Sequence, residues 1–239
     1  MSSKFEFKSI SIIIPALNEE KNLSKLLPYL KSTLAESVII SEIIVVDAKD
    51  STDDLQSLCA QQDIRYVRCA RNGRSYQLCQ GGQEATSDIL YFVHADTTPP
   101  TTFVDDIIGA IQSGNQAGCF AYRFRNNTPI LLKINSWFTQ FQTFFTGGGD
   151  QGLFIIKDVY EKIGGFSQEC TFMEDFQLYQ AIRSNDIPFT IMQNKAVVSN
   201  RKYAKNGYFK VQIVQAILLW GFYRGMSADR LRRIYSRLS

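Results

Sequence analysis

The chain has 239 residues, 45% of them hydrophobic and 21% charged, with a formal net charge of +3. This is an ordinary globular composition, enough for one large α/β domain or one domain with an appendage, and the small charge does not by itself call for nucleic acid. Cys59, Cys69, Cys79, Cys119 and Cys170 are scattered, odd in number and without CxxC spacing, which argues against a disulfide framework or a zinc site and for a reducing compartment.

Met1 to Ser9 is polar and charged, with no readable signal peptide. Ser9 to Ile14 is β-branched and apolar and reads as the first strand, ended by Pro15. Leu23, Leu26, Leu27 and Leu30 follow at helical spacing, with Asn18 as the expected N-cap and Glu19 and Glu20 in the first turn. Glu42 to Asp47 is a second strand ending on a carboxylate. Leu55 to Ala60 is a helix, Ile64 to Cys69 a third strand, and Arg71 to Arg74 a basic turn. Ser75 to Ala85 is helical, with Gly81 and Gly82 allowing close packing on the sheet. Strand and helix alternating at this rhythm imply βαβ units and a parallel sheet. Leu17, Asn18 and Glu19 stand where dinucleotide glycines would be, and no phosphate-loop pattern is present.

The run Ile89 to Val93 reads as a buried strand stopping on His94, Ala95 and Asp96, with Pro99 and Pro100 preventing its continuation. Strand alternation then expects His94 and Asp96 on one face at the carboxyl end, where open α/β sheets bind ligands. Asp96 either serves a divalent cation on a diphosphate or caps the next turn.

Beyond it come a helix (Phe103 to Ser113), a strand (Gly118 to Phe124) and an aromatic helix (Ile130 to Phe145), expected mainly as core. A glycine loop (Gly147 to Gly152) precedes the strand Leu153 to Ile156. Val159 to Ile163 is a short helix, Thr171 to Asp175 opens another over Phe176 to Arg183, and Ile187 to Val198 holds one or two strands. The softest boundary lies at Asn126 to Pro129, suggesting a nucleotide-binding half (1–125), a second half (126–203) and a helical tail (204–239) within one domain. The apolar segment Val211 to Tyr223 falls short of the ~18 uninterrupted apolar residues of a membrane span. Its flanks carry Lys205, Lys210, Arg224, Arg230, Arg232, Arg233 and Arg237 against one acid, Asp229. This suits an interfacial helix on anionic lipid as well as a packed helix or homodimer surface.

The stretches Ile14 to Glu20, Val45 to Asp47 with Ser51 to Asp53, His94 to Asp96, Gly149 to Gly152 and Met173 to Asp175 occur in an order and spacing that resemble the family-2 glycosyltransferases of the GT-A fold, over roughly Ser9 to Arg201. The closer likeness is to a small bacterial subgroup. The resemblance implies a Rossmann-like, mostly parallel sheet flanked by helices, and a metal-assisted, inverting transfer from a nucleoside-diphosphate sugar, UDP favoured, to an unidentified acceptor. It implies a cytoplasmic protein, at the inner face of the membrane if the tail binds lipid. Asp47 would accept a hydrogen bond from the base. Pro15, Leu17, Asn18, Glu19 and Ala95 would line the nucleotide, with Arg71, Arg74 and Gln77 near it or its phosphates. Asp96, and His94 in place of the family's first carboxylate, would serve Mn²⁺ or Mg²⁺. Asp150 and Gln151 would meet the donor sugar or acceptor, and Arg201 and Lys202, on a loop, the leaving diphosphate. Asp175 would be the general base, supported by Glu174, and the resemblance makes 126–203 the acceptor and catalytic half. A non-catalytic sugar-nucleotide binder stays open because of His94. A nucleotidyltransferase is disfavoured because no glycine-rich basic loop follows the first strand.

Overall fold

The computed structural model describes residues 9–37, 39–125, 128–143, 146–169 and 172–238. Seven strands form one sheet: β1 (Ser9–Ala16), β2 (Ile40–Asp47), β3 (Arg65–Arg68), β4 (Ile89–Phe92), β5 (Ala117–Phe124), β6 (Leu153–Ile156) and β7 (Phe189–Val198). Their order is β3-β2-β1-β4-β6-β5-β7. Strands β3, β2, β1 and β4 run parallel, as do β5 and β7, and β6 alone is antiparallel to its neighbours. The chain steps outward from β1 to β3 and then crosses back to lay β4 on the other side of β1. That reversal opens a crevice at the carboxyl ends of β1 and β4.

Helices α1 (Glu20–Ala35), α2 (Leu55–Ala60) and α4 (Phe103–Gln112) cover one face, and α3 (Arg74–Glu84), α6 (Lys157–Lys162) and α7 (Glu174–Ser184) the other. The alternation along β1 dictates this division. Ile10, Ile12 and Ile14 pack with Leu23, Leu27 and Phe103, whereas Ile13 packs with Leu78, Tyr160 and Leu178. β1 runs through Pro15 rather than stopping before it. The Ile13 carbonyl accepts from Val93 N and the Ala16 carbonyl from Ala48 N, so Pro15 faces the β4 side. Pairing with β4 ends at Ile13, so no ladder bond is lost at the proline.

Three sequence expectations give way here. The strand stops at Phe92, and Ala95 and Asp96 lie in a turn, so alternation no longer governs His94 and Asp96. Asn18 is not the N-cap. Glu19 holds that position, while Asn18 adopts φ 55° and its Oδ1 accepts from Thr52 N at 2.8 Å. The first turn of α1 is instead met from the next loop, where Asp53 accepts from Glu20 N at 2.8 Å. The aromatic helix α5 (Ile130–Phe138) is shorter than expected and is not core: Trp137, Phe138 and Phe141 are about half exposed, and Phe144 and Phe145 lie outside the described residues. Ile187 to Val198 carries one strand, β7.

The tail forms α8 (Arg201–Asn206), α9 (Tyr208–Tyr223) and α10 (Ala228–Leu238). Val214, Leu218 and Leu231 pack around Phe172 and Met173, so the tail buttresses the start of α7. Among the described residues no helix is long and apolar enough to cross a membrane.

Gly81 of α3 lies against β1 so closely that a Cβ would stand 2.3 Å from Ile13 Cγ2 and 3.1 Å from Val46 Cγ2. Helix propensity favours alanine over glycine by about 1 kcal/mol. The clash falls on a fully buried β-branched methyl that cannot swing aside, and overpacking of that kind costs about 1–3 kcal/mol or more. Gly81→Ala is therefore destabilising by about 2 kcal/mol in urea unfolding at unchanged m-value, opposite in sign to the propensity scale.

Candidate active site

The carboxyl end of β2 delivers Asp47 into the protein with no exposed side-chain surface. Its Oδ2 accepts from the Tyr66 hydroxyl at 3.0 Å and from Arg68 Nη1. Arg68 reaches it because the parallel register pairs Asp47 with Arg68 across β2 and β3. The same guanidinium donates to the carbonyls of Lys49 and Ser51 at 2.8 and 2.9 Å, fixing the loop above. Asp47 Oδ1 is buried without a partner. A fully buried carboxylate oxygen in that state is costly, and a ligand N–H is the donor that would relieve it.

Around this acid the neighbouring residues divide by role. Pro15 and Ala95 are buried, and Leu17 is exposed at the loop tip. Asn18 ties the β1 loop to the β2 loop through Thr52 and through Ser51 Oγ, 3.4 Å from its own N. Gln77, expected at the nucleotide, is buried and donates both amide protons to the carbonyls of Ala16 and Val46 at 2.7 Å each. It clips two strand ends together, a structural role the sequence did not show. Arg71 lies over the Tyr76 ring at 5.5 Å.

At the crevice between β1 and β4, Arg201 Nη2 donates to Glu19 Oε1 and to Asp96 Oδ2, both at 3.0 Å. Arg201 and Lys202 begin helix α8 rather than sitting on a loop. His94 keeps different company from Asp96: its Nδ1 is 3.7 Å from Asp150 Oδ1. The two residues thus do not form the paired set that strand alternation expected.

Asp175 and Glu174 open α7, and Arg74 holds both. Its Nη2 donates to Asp175 Oδ2 at 2.8 Å and its Nε to Glu174 Oε1. Arg74, expected near the nucleotide or its phosphates, makes its contacts with these two acids in this structure. Burial pushes the Asp175 carboxyl up, the Arg74 guanidinium draws it down and the Glu174 charge pushes it up again; the net direction is upward. Gly149 runs so close that a Cβ would stand 2.3 Å from the His94 ring and 2.6 Å from Asp175 Oδ2, so any larger residue there must displace one of those side chains. Asp150 is exposed beside it, whereas Gln151 is buried, accepting from Gly147 N at 3.1 Å and donating to the Thr139 carbonyl at 3.3 Å. Both ends of the Gln151 amide are thus engaged with the backbone that shapes the glycine loop. Burial lowers the Lys202 ammonium, with Asp150 and Arg74 close enough to act on it. Lys202 therefore belongs to the same cluster.

The residues the sequence reading missed are Arg68 and Tyr66. Their signal was the register that sets Arg68 opposite Asp47, which no spacing within one segment reveals. Met173, at φ 63°, is a second. A left-handed methionine is a strained choice immediately before the acid pair.

Comparison with known proteins agrees with this architecture. A dolichol-phosphate mannosyltransferase from Pyrococcus furiosus is 25% identical over 204 residues, covering 82% of this chain and 54% of that protein. A 4,4'-diaponeurosporenoate glycosyltransferase from Staphylococcus aureus is 24% identical over 283 aligned positions, covering 97% of this chain and 74% of that one. Among solved structures, S. aureus TarS superposes with a TM-score of 0.64 at 15% identity, over 96% of this chain and 42% of that one. Glucosyl-3-phosphoglycerate synthase from Mycobacterium tuberculosis, with Mn²⁺, UDP and glucosyl-3-phosphoglycerate, has a TM-score of 0.61 at 18% identity, over 92% and 81%. The fold is that of the GT-A glycosyltransferases. The chain spans only about half of the Pyrococcus relative and less of TarS. Residues 11–171 match the sequence model described as glycosyl transferase family 2, and the chain belongs to that family.

Proposed function

We propose that this protein transfers a sugar from a nucleoside-diphosphate sugar, UDP favoured, to an acceptor hydroxyl with inversion, using Asp175 as the base. The observation that supports this reading is that α3 reaches both acids: its first residue, Arg74, holds Asp175, and its Gln77 donates to the carbonyl of Val46, next to Asp47, whose buried Oδ1 is unpartnered. A uracil imide N–H suits that oxygen. M. tuberculosis glucosyl-3-phosphoglycerate synthase, of like fold, was solved with UDP.

In the reaction the acceptor oxygen attacks the anomeric carbon as the bond to the diphosphate breaks on the opposite side. The acceptor proton passes to the Asp175 carboxylate, whose upward shift makes it a better base than an ordinary aspartate. Glu174 and Arg74 fix its position. Arg201 and Lys202, at the start of α8, receive the charge that develops on the diphosphate.

No three His, Cys, Asp or Glu side chains among the described residues form a ready-made metal cluster. Asp96 nonetheless offers a partly open carboxylate, and a divalent ion held by a diphosphate needs only one or two from the protein. The residues fit Mn²⁺ or Mg²⁺ arriving with the donor, where it would neutralise the departing diphosphate. His94 lies toward Asp150 and contributes to the sugar side of the cleft rather than to Asp96.

Turnover of a panel of UDP-sugars with Mn²⁺ tests the assignment. Asp175→Asn loses about a thousandfold in turnover while thermal shift with UDP and Mn²⁺ is retained. Binding of UDP with no turnover by the unaltered protein on any donor would leave the non-catalytic binder instead.

The pH profile carries a sign. Activity falls as pH drops through the Asp175 pKa, which lies above the usual aspartate value. Glu174 raises that pKa by like-charge repulsion, so Glu174→Gln moves the acid limb of kcat/KM to lower pH. A limb that stayed in place or moved upward would remove Asp175 as the titrating base.

A further inference from the structure

Helix α9 carries large apolar side chains on its outer as well as its inner side, which an ordinary amphipathic surface helix does not. Val211, Val214, Leu218 and Leu219 are buried on its inner side, yet Phe209, Ile213, Ile217 and Trp220 stand outward at spacings of four, four and three residues. They form a continuous stripe, with Phe209 70% and Trp220 56% exposed. Helix α5 repeats the pattern: Ile130, Ile134, Trp137 and Phe138 are exposed along one face, continued by Phe141 in the following turn. The two helices are neighbours, because the Tyr203 hydroxyl accepts from Asn135 of α5 at 3.2 Å and from Gln212 of α9 at 3.4 Å. Ile134 and Ile213 adjoin those contacts in the chain. Monomeric soluble proteins do not carry paired stripes of this kind without a partner.

We propose that the outer faces of α5 and α9 dock on an anionic lipid bilayer and hold the cleft at the lipid–water boundary. Charge selects this occupant. Lys205, Arg224, Arg230, Arg233 and Arg237, all in the segment that holds α9, are exposed, and Asp229 is the one acid in 204–239. Arg224 lies over the Trp220 ring at 5.1 Å, an arginine–tryptophan pair suited to a headgroup layer. A second copy would bring like charge against like charge, whereas an anionic leaflet supplies the counter-charge. Length sets the mode of contact: the 16 residues of α9 extend about 24 Å, short of the roughly 30 Å hydrocarbon layer, so it lies on the membrane.

Docking has a consequence for the reaction. α8 carries Arg201 to Asp96 and, two residues on, Tyr203 between α5 and α9, so the docking helices adjoin the element that enters the cleft. An acceptor hydroxyl borne by an amphiphile in the bilayer is thereby offered to Asp175. This last step rests on the sugar-transfer reading; the docking itself does not.

The chain has two tryptophans, Trp137 on α5 and Trp220 on α9, so each stripe has its own reporter. Trp137→Phe and Trp220→Phe variants are titrated with phosphatidylcholine vesicles containing phosphatidylglycerol, without any sugar donor. In both, the remaining tryptophan is expected to shift to shorter wavelength and be quenched by brominated lipid, and pure phosphatidylcholine binds about tenfold more weakly. Ile134→Glu with Ile213→Glu, both exposed, weakens vesicle binding about tenfold or more at an unchanged melting temperature. Absence of any tryptophan response to anionic vesicles overturns the proposal. So does a dimer in sedimentation whose tryptophans are already shielded without lipid, which would assign the stripes to a second copy. Failure of the sugar-transfer reading would appear in the Asp175→Asn assay and leave these lipid measurements untouched.

Discussion

The site depends on one guanidinium. Glu174 and Asp175 are adjacent in sequence and are both drawn out of bulk water at the start of α7, Glu174 being 3% exposed. Two like charges in that position repel, and a buried carboxylate with no partner costs several kcal/mol, on the order of 3–5 when a pair is broken. The Arg74 fork meets both at once. Because Arg74 begins α3, 100 residues earlier in the chain, the fork also fastens the start of α7 to the helix that packs on the strand ends. Stability of that junction and placement of the proposed base are one interaction.

Two backbone features sharpen that placement. Met173 takes a left-handed conformation that costs an ordinary side chain about 1 kcal/mol or more, and Phe172 and Met173 pack against α9 and α10. The tail thus helps to set the entry of α7. On the other side Gly149 leaves no room for a Cβ between His94 and Asp175. The loop that the sequence marks as glycine-rich is therefore tight against protein side chains, and its glycines serve packing.

How much of this was legible in the sequence follows from the range of the interactions. Ile10 to Ile14, Ile43 to Val46 and Ile89 to Val93 announce buried strands locally, and α2 falls at Leu55–Ala60 as its spacing requires. Asp47, Asp96 and Asp175 could be picked out because one ends a strand, one follows shortly after a strand and one opens a helix. Partners could not. Gln77 and Gln151 look like ligand-facing polar residues until the backbone carbonyls they meet, 61 and 12 residues away, are seen. Asn18 reads as a cap because the loop 34 residues on that captures its side chain is invisible to a local pattern. The aromatic helix reads as core because apolar periodicity identifies a stripe without saying what covers it.

Charge at the cleft decides which cation can serve an incoming diphosphate under the proposed reaction. Each basic side chain there already faces acid: Arg74 meets Glu174 and Asp175, Arg201 meets Glu19 and Asp96, and Lys202 lies near Asp150. A diphosphate must displace one of these pairings, and their costs differ. Glu174 is buried, so parting it from Arg74 would strand a charge away from water. Arg201 is 59% exposed and its partners are 23% and 27% exposed, so that pair is weak and its carboxylates are readily rehydrated. Arg201 is thus the cation free to turn to phosphate, and in turning it releases Asp96, the carboxylate positioned to meet a metal carried on the same donor. Arg74 stays with the base. Burial, more than proximity, separates the arginine that positions from the arginine that binds.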